Sequence, residues 1–169
     1  MTVGAYPVLP AHLVGQLARV PPSRDGDLEY RPCAATVEDG SEIECVYVVE
    51  SEVYLQRWGV RPEEDPGKQW IPIARVRSLR ESPYRLPVAL ADELYRAGES
   101  GMGYAVFTVE FSDGRRQAYV GGNAVDFIDP PAGLSAADAR RVFPHEGRHE
   151  GQRRVRPYHW CLYTGAQHR

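Results

Sequence analysis

A chain of 169 residues with a net charge of −3, 43% hydrophobic and 25% charged, has the make-up of a soluble globular protein of one domain or two small halves. That charge rules out a general electrostatic magnet for nucleic acid or an anionic membrane face. No stretch approaches the roughly 18 uninterrupted apolar residues that would cross a membrane.

Residues 9–19 predict a short helix, with Pro10 at its first position and Leu9, Leu13 and Leu17 on one face. Pro21 and Pro22 stop it, and a polar loop follows to residue 32. Cys33–Val37 and Ile43–Val49 then alternate with period two around Asp39-Gly40, the strongest short-range signal for a β-hairpin. Val53–Trp58 reads as a third strand, Gly59–Lys68 as an acidic surface loop, and Trp70–Val76 as a fourth strand near an edge, because Pro72 cannot donate to a ladder. Four such strands suit a small barrel or half-barrel.

Ser78–Arg85 reads as a joint between halves, and the pattern then returns. Leu86-Pro87 with Leu90, Leu94 and Arg96 repeats Leu9-Pro10 with Leu13, Leu17 and Arg19. Thr108-Val109-Glu110 before Asp113-Gly114 likewise repeats Thr36-Val37-Glu38 before Asp39-Gly40. The second copy predicts a helix over 87–97 closed by Gly98 and a hairpin of Tyr104–Phe111 with Arg115–Val120. A strand over Val125–Ile128 comes next. Ser135 to Asp138 has the form of a capping box opening a helix to Phe143, and Tyr158–Thr164 reads as a last strand able to close a sheet across both halves. The expected fold is α+β, mostly antiparallel, with two hairpin-centred, small-barrel-like halves (1–80 and 81–169) and about three short helices.

Three stretches could carry chemistry. His145-Glu146-Gly147-Arg148-His149 is a literal H-E-x-x-H, in which two histidines one helical turn apart bind zinc and the glutamate acts as general base. On that alternative reading the chain is a zinc-dependent hydrolase with His145 and His149 as metal ligands and Glu150 or His159 as candidates for a third. Gly147 inside the would-be helix and Arg148 beside the metal oppose it. Gly98-Glu99-Ser100-Gly101-Met102-Gly103 matches neither a nucleophile elbow nor a phosphate loop, and reads as a helix cap with a flexible turn. Arg140–Arg156 is rich in arginine and runs into Tyr158 and Trp160. Arginine beside aromatics is the usual anchor of protein interfaces, which makes Arg153, Arg154, Arg156 and Trp160 the candidate binding residues.

The cysteines Cys33, Cys45 and Cys161 are odd in number and fit no zinc spacing, and Met1–Val20 has no basic start leading into an apolar run. Both features predict a cytoplasmic chain with reduced thiols. Lys68 is the only lysine against nineteen arginines, as codon usage in a GC-rich genome would give. The expected function is a small cytoplasmic, non-enzymatic interaction or regulatory protein, without cofactor and with an acidic protein partner ahead of nucleic acid. A second alternative is an RNA-binding small-barrel protein.

Overall fold

The computed structural model of the chain describes residues 6–165. Among these, three α-helices and ten strands alternate in an α+β arrangement. In chain order they are α1 (Ala11–Ala18), β1 (Ser23–Asp25), β2 (Leu28–Val37), β3 (Glu42–Glu50), α2 (Ser51–Trp58), β4 (Gln69–Trp70), β5 (Val76–Glu81), α3 (Val88–Ala97), β6 (Ala105–Phe111), β7 (Arg116–Gly121), β8 (Ala139–Pro144), β9 (Gln152–Arg154) and β10 (His159–Tyr163). The sheets do not close into a barrel.

The chain forms two compact units. The first holds Met1–Pro22, Asp27–Ser82 and Tyr158–Arg169, and the second holds Ser23–Gly26 and Pro83–Pro157. These ranges depart from a cut at residue 80 in two ways: the last strand returns to the first unit, and Ser23–Gly26 joins the second.

In the first unit β2 pairs antiparallel with β3 on one side and β5 on the other, and β10 runs parallel between β3 and β4. Leu13 and Leu17 of α1 pack with Cys33, Ala35, Val37, Val46, Leu79 and Cys161 on one face of this sheet. The opposite face carries an aromatic cluster under α2, in which Tyr54 and Trp58 both lie 5.0 Å, centroid to centroid, from Trp160.

In the second unit β6 pairs antiparallel with β7 and β8, and β9 runs parallel to β7. Leu94 of α3 packs with Phe107, Val109, Phe111, Tyr119 and Val142 on the inner face. Asp126 is fully buried, accepts from Ser23 Oγ at 2.5 Å and from the Tyr95 hydroxyl, and Arg85 donates to Ser23 Oγ at 3.3 Å. This network holds the short β1 segment in the second unit.

β2 and β6 meet their second neighbours, β5 and β8, in the same register, although the β2–β3 pairing has an irregularity between Cys33 and Ala35 that β6–β7 lacks. Val37 pairs with Val76 and Thr36 with Ser78, as Phe111 pairs with Ala139 and Glu110 with Arg141, with an irregularity at the same step in each. Each turn has a left-handed glycine, Gly40 (φ 84°) and Gly114 (φ 88°), and an aspartate, Asp39 or Asp113, that accepts the N–H two residues on at 2.8 and 2.9 Å.

Several elements differ from expectation. Val53–Trp58 is helical, not a strand: its aromatics fall at i and i+4, and Gly59 (φ 72°) closes the helix by donating to the Leu55 carbonyl at 2.8 Å. Trp70–Val76 gives only the end of β4, a 3₁₀ turn at Ile73–Arg75 and the start of β5, which takes up the first half of the expected joint, while the division between the units falls at Ser82–Pro83 within it. The Ser135–Asp138 capping box is present, but it opens a single 3₁₀ turn, Ala136–Asp138, and the chain then continues as β8. The second sheet needs β8 to pair with β6, and that pairing overrides the cap signal. Val125–Ile128 is buried yet contributes only a bridge between Phe127 and Arg85.

Candidate functional site

The outer face of the second sheet, opposite α3, gathers the chemistry. Pairing partners point to the same face, so Glu110, Arg116 and Arg141 form one cross-strand row, with Thr108, Ala118, Phe143 and Gln152 in the next. Arg154 follows beside Val120. Glu110 meets Arg116 Nε at 3.2 Å and Arg141 Nη1 at 3.9 Å. Both guanidinium groups also lie against the Phe143 ring, at 4.5 and 4.9 Å from its centroid. Their side chains are 52% and 65% exposed, so the row carries two cations against one carboxylate at the surface.

The H-E-x-x-H segment is a turn that straps back over this face. Thr108 Oγ1 donates to the Glu146 carbonyl at 3.1 Å, and Gln152 Nε2 donates to the Gly147 carbonyl at 2.9 Å. Gly147 (φ 110°) lies so close to the sheet that a Cβ there would fall 2.7 Å from that of Ala118. Among the described residues His145 is the one non-glycine with positive φ, 67°. Its ring is held on both sides, Nδ1 at 2.9 Å from Ser100 Oγ and Nε2 at 3.2 Å from the Ala97 carbonyl. Arg148 donates to the Tyr104 hydroxyl at 2.7 Å and to the Ser100 carbonyl at 2.5 Å. The two motifs that sequence treats separately are therefore clasped together.

That clasp leaves the H-E-x-x-H segment without the helix the zinc reading calls for. The motif needs a helix to aim both imidazoles at one ion, and residues 145–149 have no helical turn. Among the described residues no group of three or more His, Cys, Asp or Glu side chains is arranged to hold a metal. The Ser100 and Gly101 amides both donate to the Tyr104 carbonyl, and the Gly103 amide donates to Glu99.

The four binding residues expected from sequence are dispersed. Arg153 donates to the carbonyls of Asp129 and Pro130. Arg156 pairs with Asp129 at 2.5 Å and lies over Tyr84 at 3.6 Å. Trp160 is 2% exposed in the aromatic cluster of the first unit. Arg154 alone stands on the outer face of the second sheet. Arg116 was missed, and Arg141, within the arginine-rich stretch 140–156, was not placed beside it, because their shared face becomes visible only when 139–144 is read as a strand. The first unit has a separate open cleft of about 170 Å³ beside Trp70, Tyr6 and Arg61, floored by Ile71 and Trp160. There Tyr6 donates to Glu63 at 2.7 Å, and burial followed by that bond pushes its phenol pKa up. No known protein family, curated protein or solved structure matches this chain.

Proposed function

We propose that this chain is a small, cytoplasmic, non-enzymatic interaction protein whose second unit receives an acidic protein segment on the face carrying Arg116, Arg141 and Arg154. The observation that carries the reading is the surplus of guanidinium over carboxylate in the Arg141–Glu110–Arg116 row. On the matching face of the first unit, Arg80 is offset by Glu42 at 3.1 Å and donates to Thr36 Oγ1. Carboxylates are the planar, two-oxygen acceptors that guanidinium forks recognise. RNA is the weaker reading, because the aromatic ring on this face, Phe143, is already engaged by both arginines and offers little to a stacking base. We read the shared plan of the two units as a duplication, with this face as the point of divergence. The three free, buried cysteines suit a reducing compartment.

The test is capture from the native cell with the wild-type chain and with the Arg116→Glu/Arg141→Glu variant, at about 50 mM and about 200 mM salt. The expected result is a stoichiometric protein retained at low salt and lost with the variant. Equal capture by both proteins overturns the reading, and nucleic acid lost with the variant moves it to RNA.

A further inference from the structure

The single lysine of this chain sits where an ammonium group is specifically accommodated. Tyr54 and Trp58 stand one turn apart on α2 with ring centroids 4.5 Å apart. Lys68 Nζ lies 4.7 Å from the Trp58 centroid and 5.2 Å from that of Tyr54. It donates to the Tyr54 hydroxyl at 3.0 Å and pairs with Asp65 Oδ2 at 3.0 Å. Two aromatic rings, one phenol oxygen and one carboxylate oxygen around a cation make the recognition set for an alkylated ammonium ligand.

The set suits a compact point charge. A guanidinium is planar and seeks paired acceptors in its own plane, whereas the two acceptor oxygens here come from different residues. A chain that uses arginine at its nineteen other basic positions has lysine at this one. The lysine directly follows Gly67 (φ 88°), around which space is open. The Lys68 and Asp65 side chains are 25% and 28% exposed, so solvent reaches the ion pair.

We propose that Tyr54, Trp58 and Asp65 form a binding site for an alkylated ammonium group, which Lys68 fills from within until a ligand displaces it. The ligand is either a free quaternary amine or a methylated lysine of a protein.

Reductive methylation with ¹³C-formaldehyde labels Lys68 as the one lysine in the chain, with the N-terminal amine resolved separately. The Lys68 methyl signal starts at a position shifted by the two rings. Choline and a trimethyllysine peptide, added in separate titrations, move it saturably toward the free-chain position, and the tighter of the two identifies the source. The neutral isostere 3,3-dimethylbutanol and guanidinium do so about tenfold more weakly or not at all. In the Lys68→Ala variant, checked for folding by circular dichroism, the same ligands change the tryptophan fluorescence at lower concentration, and the Trp58→Phe form of that variant loses the change. A methyl signal that starts at the free-chain position, fails to move with either amine, or moves equally with the neutral isostere overturns the proposal.

Discussion

The two units build the same hairpin and treat its outer face in opposite ways. Counted back along β2 and β6 from the turns, Trp160 and Arg154 hold corresponding places: Trp160 pairs with Tyr47, opposite Pro32, and Arg154 pairs with Val120, opposite Val106. In the first unit that place lies under α2 and is filled by aromatic rings. In the second unit the strap at 145–151 lies over Thr108 and Ala118, and Arg116, Arg141 and Arg154 stand on the same face beyond it. One scaffold thus uses its second face for packing in one unit and leaves it charged in the other. A sheet face acquires a role through what the following segment does with it.

The sharpest way to break this comparison is to truncate the corresponding residues. Trp160→Ala removes a buried indole from the aromatic cluster, with an expected loss of about 3–5 kcal/mol in denaturant unfolding. Arg154→Ala is expected to stay within about 0.5 kcal/mol of wild type. Similar losses for the two would deny the difference between the faces.

The glycines give a graded test. Gly147→Ala forces a Cβ against Ala118 at a left-handed residue and releases the strap, at an expected cost of about 2–3 kcal/mol. Gly40→Ala and Gly114→Ala meet open space at similar φ, and each is expected to cost about 1–2 kcal/mol from backbone conformation alone. Unequal costs at these two turns would mean that the hairpins are not equivalent, and a thermal melt of each variant reads them.

Much of this plan was legible in the chain. Asp39-Gly40 and Asp113-Gly114 gave both hairpins because a turn with positive φ leaves a strong local mark, and the two Leu-Pro segments gave α1 and α3 because proline and leucine spacing mark a helix from within. What was not legible depended on pairing at a distance. The helix α2 hides in Val53–Trp58 because six residues fit a short strand as well as a helix until Trp160 is seen to pack against Tyr54. β8 hides behind the Ser135–Asp138 cap because only β6 makes 139–144 extended. The arginine face was lost with it: the arginines cluster in sequence at 153–156, while the row Arg141–Glu110–Arg116 is assembled from three strands.

The Arg116→Glu/Arg141→Glu variant sharpens the comparison from the other side. Both groups are exposed and their pairing with Glu110 is a surface one, so stability is expected to change by about 1 kcal/mol or less. A much larger loss would make the row a structural element and not a free surface.

The smallest expected effect is a pH dependence centred on His159 of the first unit. His159 and Arg153 hold corresponding places on β10 and β9. Burial lowers the His159 pKa below its usual 6.5, so the folded state binds its proton less readily than the unfolded state. Its contribution is therefore intact above pH 6.5 and declines as pH falls toward the folded value. His159→Gln should flatten the stability profile just below pH 6.5.

The most direct measurement of the account is arginine footprinting with phenylglyoxal, with and without extract from the native cell. The account predicts protection of Arg116, Arg141 and Arg154 by a protein component, with Arg75, Arg77 and Arg80 of the first unit modified as before. Protection confined to the first unit, or modification of Arg116 and Arg141 unchanged by extract, would contradict it.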